Sequence, residues 1–250
     1  MSFLLELVEN EIKRFKDSFQ FEEKKLDGTI DIASSDMAKY IDQTLLKPYA
    51  TVEEIEDFVT KSIKYDFYSL CVPPCYVGTV KSLLPSDSKT KVITVVGFPH
   101  GNVTMEMKAN ETRLAISDGA QEIDMVINIG FLKSGDYEYV FEDIKSVTEA
   151  AQGIPVKVII ETCYLSNAEK VAACVLAKEA GADFVKTSTG FGTSGATVYD
   201  VSLMKFVVGN EMGVKAAGGI RTFEDALKMI SAGANRIGTS KGIEILEVVN

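Results

Sequence analysis

Two lysines stand where amine chemistry could occur, each inside a short apolar run that ends in small and hydroxylated residues. Lys186 lies in GADFVKTSTGFGTSG (residues 181–195), and Lys215 lies in GVKAAGGIRT (residues 213–222). Two lysines on neighbouring parallel strands, about 4.8 Å apart, would repel each other, and this repulsion lowers the pKa of the less solvated amine. The pair therefore predicts a lysine that is nucleophilic at neutral pH and could form an imine with a carbonyl substrate.

A structural ion-pair network is the alternative interpretation of these lysines. Lys157 also lies in a predicted strand, near its N-terminal end, where we expect a snorkelling, structural side chain. A free lysine has a pKa near ~10.4, and lowering it to ~7 requires roughly 4–5 kcal/mol of differential interaction. Burial together with like-charge repulsion can supply that amount, so the functional interpretation stays open beside the structural one.

A carboxylate and two glycine-rich segments could complete such a site. Asp124 is a charged residue within the apolar run EIDMVINI, and it could face Lys186 across a barrel interior as a compensating charge or a proton carrier. Gly218-Gly219 and Gly238-Thr239-Ser240 follow the last two predicted strands, and the second segment is expected to open the last helix. Because phosphate sites in barrels are built from these two loops and a helix N-terminus, the segments predict a phosphate site, to which Arg221 could add charge.

The elements that would position these residues begin near residue 36, where β-rich runs alternate with helical segments. Eight runs are predicted to be strands: residues 39–45, 67–72, 92–98, 122–129, 156–162, 183–188, 213–217 and 235–239. Capping boxes mark three helix starts: Thr51 with Glu54, Ser166 with Glu169, and Thr222 with Asp225. Eight βα units favour a single α/β domain of the (β/α)8 TIM barrel type. The absence of GxGxxG after the first strand argues against a dinucleotide-binding sheet.

The first 35 residues precede this pattern. Residues 1–20 place Leu4, Val8, Ile12, Phe15 and Phe19 at helical spacing with charges between them, and residues 21–35 are polar. We therefore divide the chain into an N-terminal helical extension and linker, residues 1–35, and a catalytic barrel, residues 36–250. We expect the helix to dock on the barrel or at a subunit contact.

Composition excludes several other classes of function. The net charge is −10 over 250 residues, with no basic run, so nucleic acid is not an expected partner. No apolar run approaches the ~20 residues that span a bilayer, so no membrane partner is expected either. Nothing at the start resembles a signal peptide, and four cysteines without a CxxC pair indicate a cytoplasmic location. The single histidine, His100, disfavours a histidine-based zinc site or a catalytic triad, and no metal is expected.

Seven motifs occur along the chain in this order: YIDQTLLKP, SLCVPP, VVGFPHG, EIDMVINIG, FVKTSTGF, VKAAGGIRT and RIGTS. Together they resemble the motifs of the deoxyribose-phosphate aldolases. These are class I aldolases, which work through a Schiff base. The resemblance covers the chain from about residue 36 onward. It implies reversible cleavage of 2-deoxy-D-ribose 5-phosphate to acetaldehyde and D-glyceraldehyde 3-phosphate in a homo-oligomer, a dimer or tetramer. It implies no metal or organic cofactor.

The resemblance also implies roles for individual residues. Lys186 would form the imine, Lys215 would depress its pKa, and Asp124 would be the acidic member of the proton relay. Asp42 would help to hold the substrate hydroxyl and the lysine network. The phosphate would lie near a set of mostly small residues: Thr189, Gly190, Gly218, Gly219, Gly238, Thr239 and Ser240.

Two positions depart from the family pattern. Gln43 stands where many members have His, which could change a hydrogen bond near the site, and Phe191 stands where some have Lys, so the phosphate would meet less positive charge. Two other functions remain open. One is a different Schiff-base enzyme, such as a transaldolase or a hexose-phosphate aldolase. The other is a sugar-phosphate-binding barrel without turnover, which would form no reducible imine.

Overall fold

The strands form one closed parallel barrel in chain order. The computed structural model describes residues 3–22 and 32–247. Within them the strands are β1 (Ile41–Thr44), β2 (Ser69–Val72), β3 (Lys91–Val96), β4 (Glu122–Val126), β5 (Val156–Ile159), β6 (Phe184–Lys186), β7 (Gly213–Ala217) and β8 (Arg236–Thr239). Each strand pairs with the next, and β1 pairs with β8 to close the barrel. The predicted (β/α)8 barrel is confirmed.

The helices form a shell around this barrel. In the described part of the chain they are α1 (Phe3–Ser18), α2 (Ser34–Met37), α3 (Val52–Ser62), α4 (Val77–Leu83), α5 (Met105–Ser117), α6 (Ile129–Lys133), α7 (Tyr137–Ala151), α8 (Asn167–Glu179), α9 (Val198–Val208), α10 (Phe223–Ser231) and α11 (Gly242–Glu247). All three predicted capping boxes form, at the starts of α3, α8 and α10. No helix in residues 3–22 or 32–247 has the length and apolar character needed to cross a membrane.

Several strands end earlier than the sequence pattern predicts. The run 122–129 is a strand only through Val126, because Asn128 caps the start of α6 by accepting a hydrogen bond from Phe131 N. The last helix begins at Gly242, two residues beyond Ser240, so Ser240 belongs to the loop that leaves β8. The first difference arises because the apolar pattern continues past Val126 into the loop that forms the barrel mouth.

Strand residues alternate between two environments. In β4, Ile123 and Met125 join the apolar layer between barrel and helices, whereas Glu122 and Asp124 take part in buried ion pairs. Both environments are buried, so β4 is a near-continuous buried run, as expected for a strand covered on both faces. The alternation places charged groups in the interior of the barrel, where an active site can use them.

The N-terminal helix docks on the outside of the barrel. Leu4 and Val8 of α1 are buried. Phe19, just beyond α1, packs edge to face on Phe206 and Tyr199, with ring centroids 5.3 and 5.7 Å apart. This matches the docking expected from the amphipathic pattern. Residues 23–31, most of the predicted linker, lie outside the described residues.

Candidate active site

The two predicted lysines lie side by side and share one carboxylate oxygen. Lys186 at the end of β6 is in register with Lys215 in β7, which confirms that they lie on neighbouring parallel strands. Oδ2 of Asp124 accepts hydrogen bonds from Lys186 Nζ at 2.9 Å and from Lys215 Nζ at 2.7 Å. Asp124 and Lys215 are fully buried, and Lys186 is only 3% exposed. The predicted contact of Asp124 with Lys186 across the barrel is therefore present.

A third buried lysine holds the other oxygen of the same carboxylate. Lys157 Nζ lies 2.9 Å from Asp124 Oδ1 and 2.6 Å from Glu122 Oε2. The expectation that Lys157 snorkels is wrong, because its side chain is completely buried. The register of β4 with β5 sets Lys157 beside Asp124, and two carboxylates hold the ammonium inside the barrel.

Asp42 connects the lysines to the first and last strands. Its Oδ2 lies 2.5 Å from Lys215 Nζ in an ionic contact that lacks the alignment of a hydrogen bond. Its Oδ1 accepts hydrogen bonds from Ser69 Oγ at 2.6 Å and Arg236 Nη1 at 3.0 Å. Arg236 Nη2 donates in turn to Glu122 Oε2 at 3.1 Å. Asp42 thus supports the lysine network from within the barrel.

The buried cluster contains more basic than acidic groups. Its basic side chains are Lys157, Lys186, Lys215 and Arg236, and its carboxylates are Asp42, Glu122 and Asp124. Lys91, one-third exposed, adds a further cation at 2.7 Å from Glu122. Since an unpaired charge is expensive to bury, four cations facing three anions favour a state in which one amine is neutral.

The pKa directions identify that amine. Burial lowers the pKa of Lys186, and the charge of Lys215 lowers it further, against the attraction of Asp124. Burial acts the same way on Lys215, but Asp124 and Asp42 outweigh it and raise its pKa. Burial would raise the pKa of Asp124, yet three neighbouring lysines hold it well below its usual range. Lys186 is therefore the amine that deprotonates most easily, while Lys215 keeps its proton and Asp124 remains an acceptor.

A cavity of about 430 Å³ lies over Lys186 at the C-terminal ends of the strands. It is lined by Lys186 and by every residue predicted for the phosphate: Thr189, Gly190, Gly218, Gly219, Gly238, Thr239 and Ser240. Asp42, Asp124 and Lys215 do not line it and are fully buried below it. Lys186 is thus the member of the charged cluster that reaches the cavity.

Three of the lining hydroxyl groups are directed to protein partners, and the first is that of Thr44, whose Oγ1 donates to Asp42 O at 2.8 Å. Thr239 Oγ1 donates to Ile220 O at 2.7 Å and ties the β8 exit to the β7 exit. Thr189 Oγ1 donates to Glu161 in a short hydrogen bond. Thr189 and Thr239 therefore fix the loops. The groups left to face a ligand are the backbone and Ser240, which is exposed at the mouth.

Glycine is required at the β7 exit. Gly218 and Gly219 have φ of +84° and +82°, a conformation that favours glycine. A Cβ on Gly195 would lie 2.1 Å from Gly218 O, so the loop after β6 packs directly on the loop after β7. The cavity wall depends on this close backbone contact.

Several residues of the cavity and the buried network escaped the sequence prediction. Lys47 and Lys241 line the cavity together with Arg221 and supply positive charge from three different loops. Glu122 and Arg236 belong to the buried network, and Glu161 holds the loop after β6. Charged residues at alternate positions of a strand, as in Glu122 and Asp124, are the signal that could have revealed the network. Nothing in the sequence marks Glu161.

The two departures from the family pattern have visible consequences. Gln43 Oε1 accepts a hydrogen bond from Gly242 N at 2.9 Å and joins β1 to the start of α11. Phe191 is half-exposed at the cavity and packs edge to face on Phe98, with ring centroids 5.4 Å apart. Neither change removes a member of the lysine cluster.

The donor set does not suggest a metal centre. In the part of the chain that the structure describes, no three His, Cys, Asp or Glu side chains are grouped as metal ligands. Burial raises the pKa of the Cys71 thiol to about 11, so this thiol is protonated at neutral pH. That no metal or organic cofactor is needed stays a prediction.

A barrel with a buried, pKa-lowered lysine at the mouth of its strands is the arrangement of a Schiff-base aldolase. Residues 36–247 match the model of the DeoC/LacD family aldolases. The match spans most of the chain, and the chain belongs to this family of lyases.

Named relatives narrow the comparison. The deoxyribose-phosphate aldolase of Thermococcus gammatolerans is 62% identical over 216 residues, 85% of this chain and 96% of that protein. The deoxyribose-phosphate aldolase of Thermotoga petrophila is 52% identical over 240 residues, 96% of this chain and 95% of that protein. That alignment is long enough to include part of the N-terminal extension, which some relatives therefore share.

A solved structure agrees with the fold. The deoxyribose phosphate aldolase of Aeropyrum pernix, described as a unique tetramer, superposes with a TM-score of 0.80 at 31% identity. The superposition covers 96% of both chains.

Proposed function

We propose that this chain reversibly cleaves 2-deoxy-D-ribose 5-phosphate to acetaldehyde and D-glyceraldehyde 3-phosphate through a Schiff base on Lys186. The observation that carries the proposal is the position of Lys186, whose amine reaches the cavity while its cationic neighbours stay buried below. Membership of the DeoC/LacD family and the names of the relatives support the substrate.

The first step is attack of the neutral Lys186 amine on the carbonyl carbon of the opened sugar. The nitrogen lone pair forms the C–N bond, and loss of water leaves a protonated imine. The free amine is available because burial and Lys215 lower the pKa of Lys186. Asp124 holds the nitrogen at 2.9 Å and so directs it from below the cavity.

Carbon–carbon cleavage uses the protonated imine as an electron sink. A base removes the proton of the C3 hydroxyl, the electrons of the C2–C3 bond move toward the imine, and departure of D-glyceraldehyde 3-phosphate leaves an enamine on Lys186. Protonation of the enamine carbon and hydrolysis then release acetaldehyde. Asp124 is the acceptor of this relay and Lys215 the donor, since their pKa values are lowered and raised respectively. Because both are buried below the cavity, we propose that a water carries the protons.

Phosphate binding falls to the loops after β6, β7 and β8. Glycines 190, 218 and 219 let the backbone approach an anion closely, and Lys47, Arg221 and Lys241 give the cavity positive charge. Lys241 also pairs with Glu244 at 2.6 Å, which reduces its contribution. Phe191 contributes apolar surface to this cavity, so the positive charge is provided from other loops.

Borohydride trapping tests the proposal. The protein is incubated with 2-deoxyribose 5-phosphate, sodium borohydride and EDTA, and the adduct is mapped by peptide mass spectrometry. We expect a reduced adduct on Lys186 that is lost in Lys186→Met and kept in Lys61→Met, which alters an exposed lysine on α3. Absence of an adduct on folded protein would favour a binding protein without turnover. An adduct with other sugar phosphates only would indicate a different Schiff-base enzyme.

We also propose a homo-oligomer in the cytoplasm. The tetrameric relative supports the oligomer, and the free thiols of the four cysteines support a reducing compartment. Light scattering on the full chain and on a form lacking residues 1–35 tests whether α1 builds an interface. An unchanged number of subunits after truncation would reject that role for α1.

A further inference from the structure

Glu161 is a buried acid for which the reaction above has no use. It lies two residues beyond β5, is 2% exposed and has a left-handed backbone with φ of +52°. This conformation is uncommon and unfavourable for a residue with a Cβ. Neighbouring backbone bonds maintain it: Ile160 N donates to Lys186 O at 3.0 Å, and Thr162 N donates to Thr187 O at 2.9 Å. The strand end that carries Glu161 is therefore fastened to the segment that carries Lys186.

The carboxylate of Glu161 is directed at a single residue of the loop after β6. Thr189 donates to it twice, from its backbone N at 3.3 Å and from Oγ1 in a shorter bond. In the described residues no Lys, Arg or His forms an ion pair with Glu161. Cys163 Sγ, at 3.8 Å, is a weak additional donor. A carboxylate suits this position because both of its oxygens accept hydrogen bonds, whereas an amide would replace one of these acceptors by an NH2 group that only donates.

This contact sets the shape of the loop that borders the cavity. Thr189 Oγ1 accepts a hydrogen bond from Phe191 N at 3.0 Å, which closes a turn around Gly190 with its φ of +88°. The loop also rests on Glu161 directly, because a Cβ on Gly192 would lie 3.1 Å from Glu161 Cδ. Displacing the carboxylate would therefore release Gly190 and Phe191, which line the cavity, while the lysine cluster on β4, β6 and β7 keeps its own partners.

We propose that Glu161 is a positioning residue that sets the affinity for the phosphate group by holding the loop of residues 187–192 through Thr189. The inference rests on the proposed function for the identity of the anion. Glu161 acts on phosphate recognition and leaves imine formation on Lys186 unchanged. It thereby determines the preference for phosphorylated over unphosphorylated sugars.

The test compares Glu161→Gln, Thr189→Val and the double variant with the unmodified protein. Glu169→Gln is the matched control, because this carboxylate caps α8 and pairs with Lys133 away from the cavity. Three quantities are measured: the Kd of inorganic phosphate by calorimetry, kcat/KM for 2-deoxyribose 5-phosphate and for 2-deoxyribose, and the rate of borohydride trapping with acetaldehyde. The calorimetry needs no turnover, so it tests the loop contact even if the proposed reaction fails.

We expect Glu161→Gln to weaken phosphate binding and to lower kcat/KM for the phosphorylated sugar about tenfold, equivalent to about 1.4 kcal/mol. Turnover of 2-deoxyribose and trapping of acetaldehyde should change less than about threefold, equivalent to about 0.65 kcal/mol. The double variant should lose no more than the worse single variant, because both substitutions break one contact.

Three results would overturn the inference: equal losses with both sugars, additive losses in the double variant, or tighter phosphate binding after removal of the negative charge. If Glu161→Gln does not fold, Thr189→Val tests the same contact from the loop side. Should the unmodified protein bind phosphate but cleave neither sugar, the proposed reaction fails while the calorimetric comparison still decides the role of Glu161.

Discussion

Replacing Lys215 by Met tests how the barrel generates a neutral amine. Lys186 Nζ and Lys215 Nζ lie 2.9 and 2.7 Å from the same oxygen of Asp124, so the two nitrogens are at most about 5.6 Å apart. At an effective dielectric constant of about 20, two unit charges at that distance repel by ~3 kcal/mol. Removing Lys215 therefore lowers the fraction of neutral Lys186 near pH 7 by on the order of a hundredfold, since each 1.36 kcal/mol is a factor of about ten.

The protein should tolerate this substitution. Without Lys215, Asp124 retains Lys157 and Lys186, and Asp42 retains Ser69 and Arg236. No carboxylate is left without a partner, and the methionine fills most of the vacated volume. Circular dichroism and urea unfolding check that the fold is kept before any rate is interpreted.

The assay is the rate of borohydride trapping with acetaldehyde as a function of pH. In the unmodified protein the rate falls on the acid side as Lys186 becomes protonated, at a pH below the 10.5 of an ordinary lysine. In Lys215→Met this limb moves to higher pH, and the loss near neutrality is recovered in alkaline solution. Lys215→Arg keeps a positive charge and should leave the limb closer to its original position. A uniform loss at every pH, with an unmoved acid limb, would refute the electrostatic role and leave Lys215 as a proton carrier only.

Three further outcomes follow from the buried charges and the close backbone contact. Lys157→Met should cost about 3 kcal/mol in urea unfolding because it removes the buried ammonium that bridges the carboxylates of Glu122 and Asp124. Adding Glu122→Gln should recover part of that loss, and no loss in the single variant would contradict the argument. The pKa values of Asp124 and Glu122 are lower in the folded than in the unfolded protein. The stability that these carboxylates contribute is therefore complete above the unfolded pKa values near ~4 and is lost as the pH falls through the folded pKa values. Unfolding free energies measured from pH 7 to pH 2 should decline below about pH 4, and a flat profile would be inconsistent with this linkage. Gly195→Ala places a Cβ 2.1 Å from Gly218 O. It should lower the free energy of unfolding by about 1–3 kcal/mol and raise KM for the phosphorylated sugar. An unchanged KM would show that this backbone contact does not shape the cavity.

Much of the fold could be predicted because its signals are local. The capping pairs at Thr51, Ser166 and Thr222 each lie within one helical turn, and the structure forms all three. The eight strand candidates follow from apolar runs of a few residues, and all eight became strands. Their ends were less predictable, because Asn128 continues an apolar run in the sequence yet caps a helix in the structure.

The cluster of Lys186, Lys215 and Asp124 could be predicted from barrel geometry. Asp124 on β4 and Lys186 on β6 lie on alternate strands, which contribute to the same interior layer, and Lys215 lies on β7 beside β6. Other partners could not be anticipated in this way. Arg236 and Asp42 are 194 residues apart and meet only because β8 closes onto β1. Glu161 contacts Thr189 from a backbone conformation that no local pattern predicts for glutamate. Contacts made by closing the barrel, and residues with an unusual backbone conformation, therefore cannot be predicted from the sequence pattern.

The burial of so many charges explains why Lys186, which we propose as the nucleophile, can be neutral without a dedicated base. Each carboxylate of the cluster contacts at least two basic groups, so no lysine has an acid to itself. Asp124 divides its two oxygens among three amines, and its attraction for any one of them is correspondingly limited. Lys215 has Asp42 as a second partner, whereas Lys186 has only its share of Asp124 within the described residues. Because the cluster is buried, water solvates its charges poorly, and the amine with the fewest acidic contacts is the one that gives up its proton.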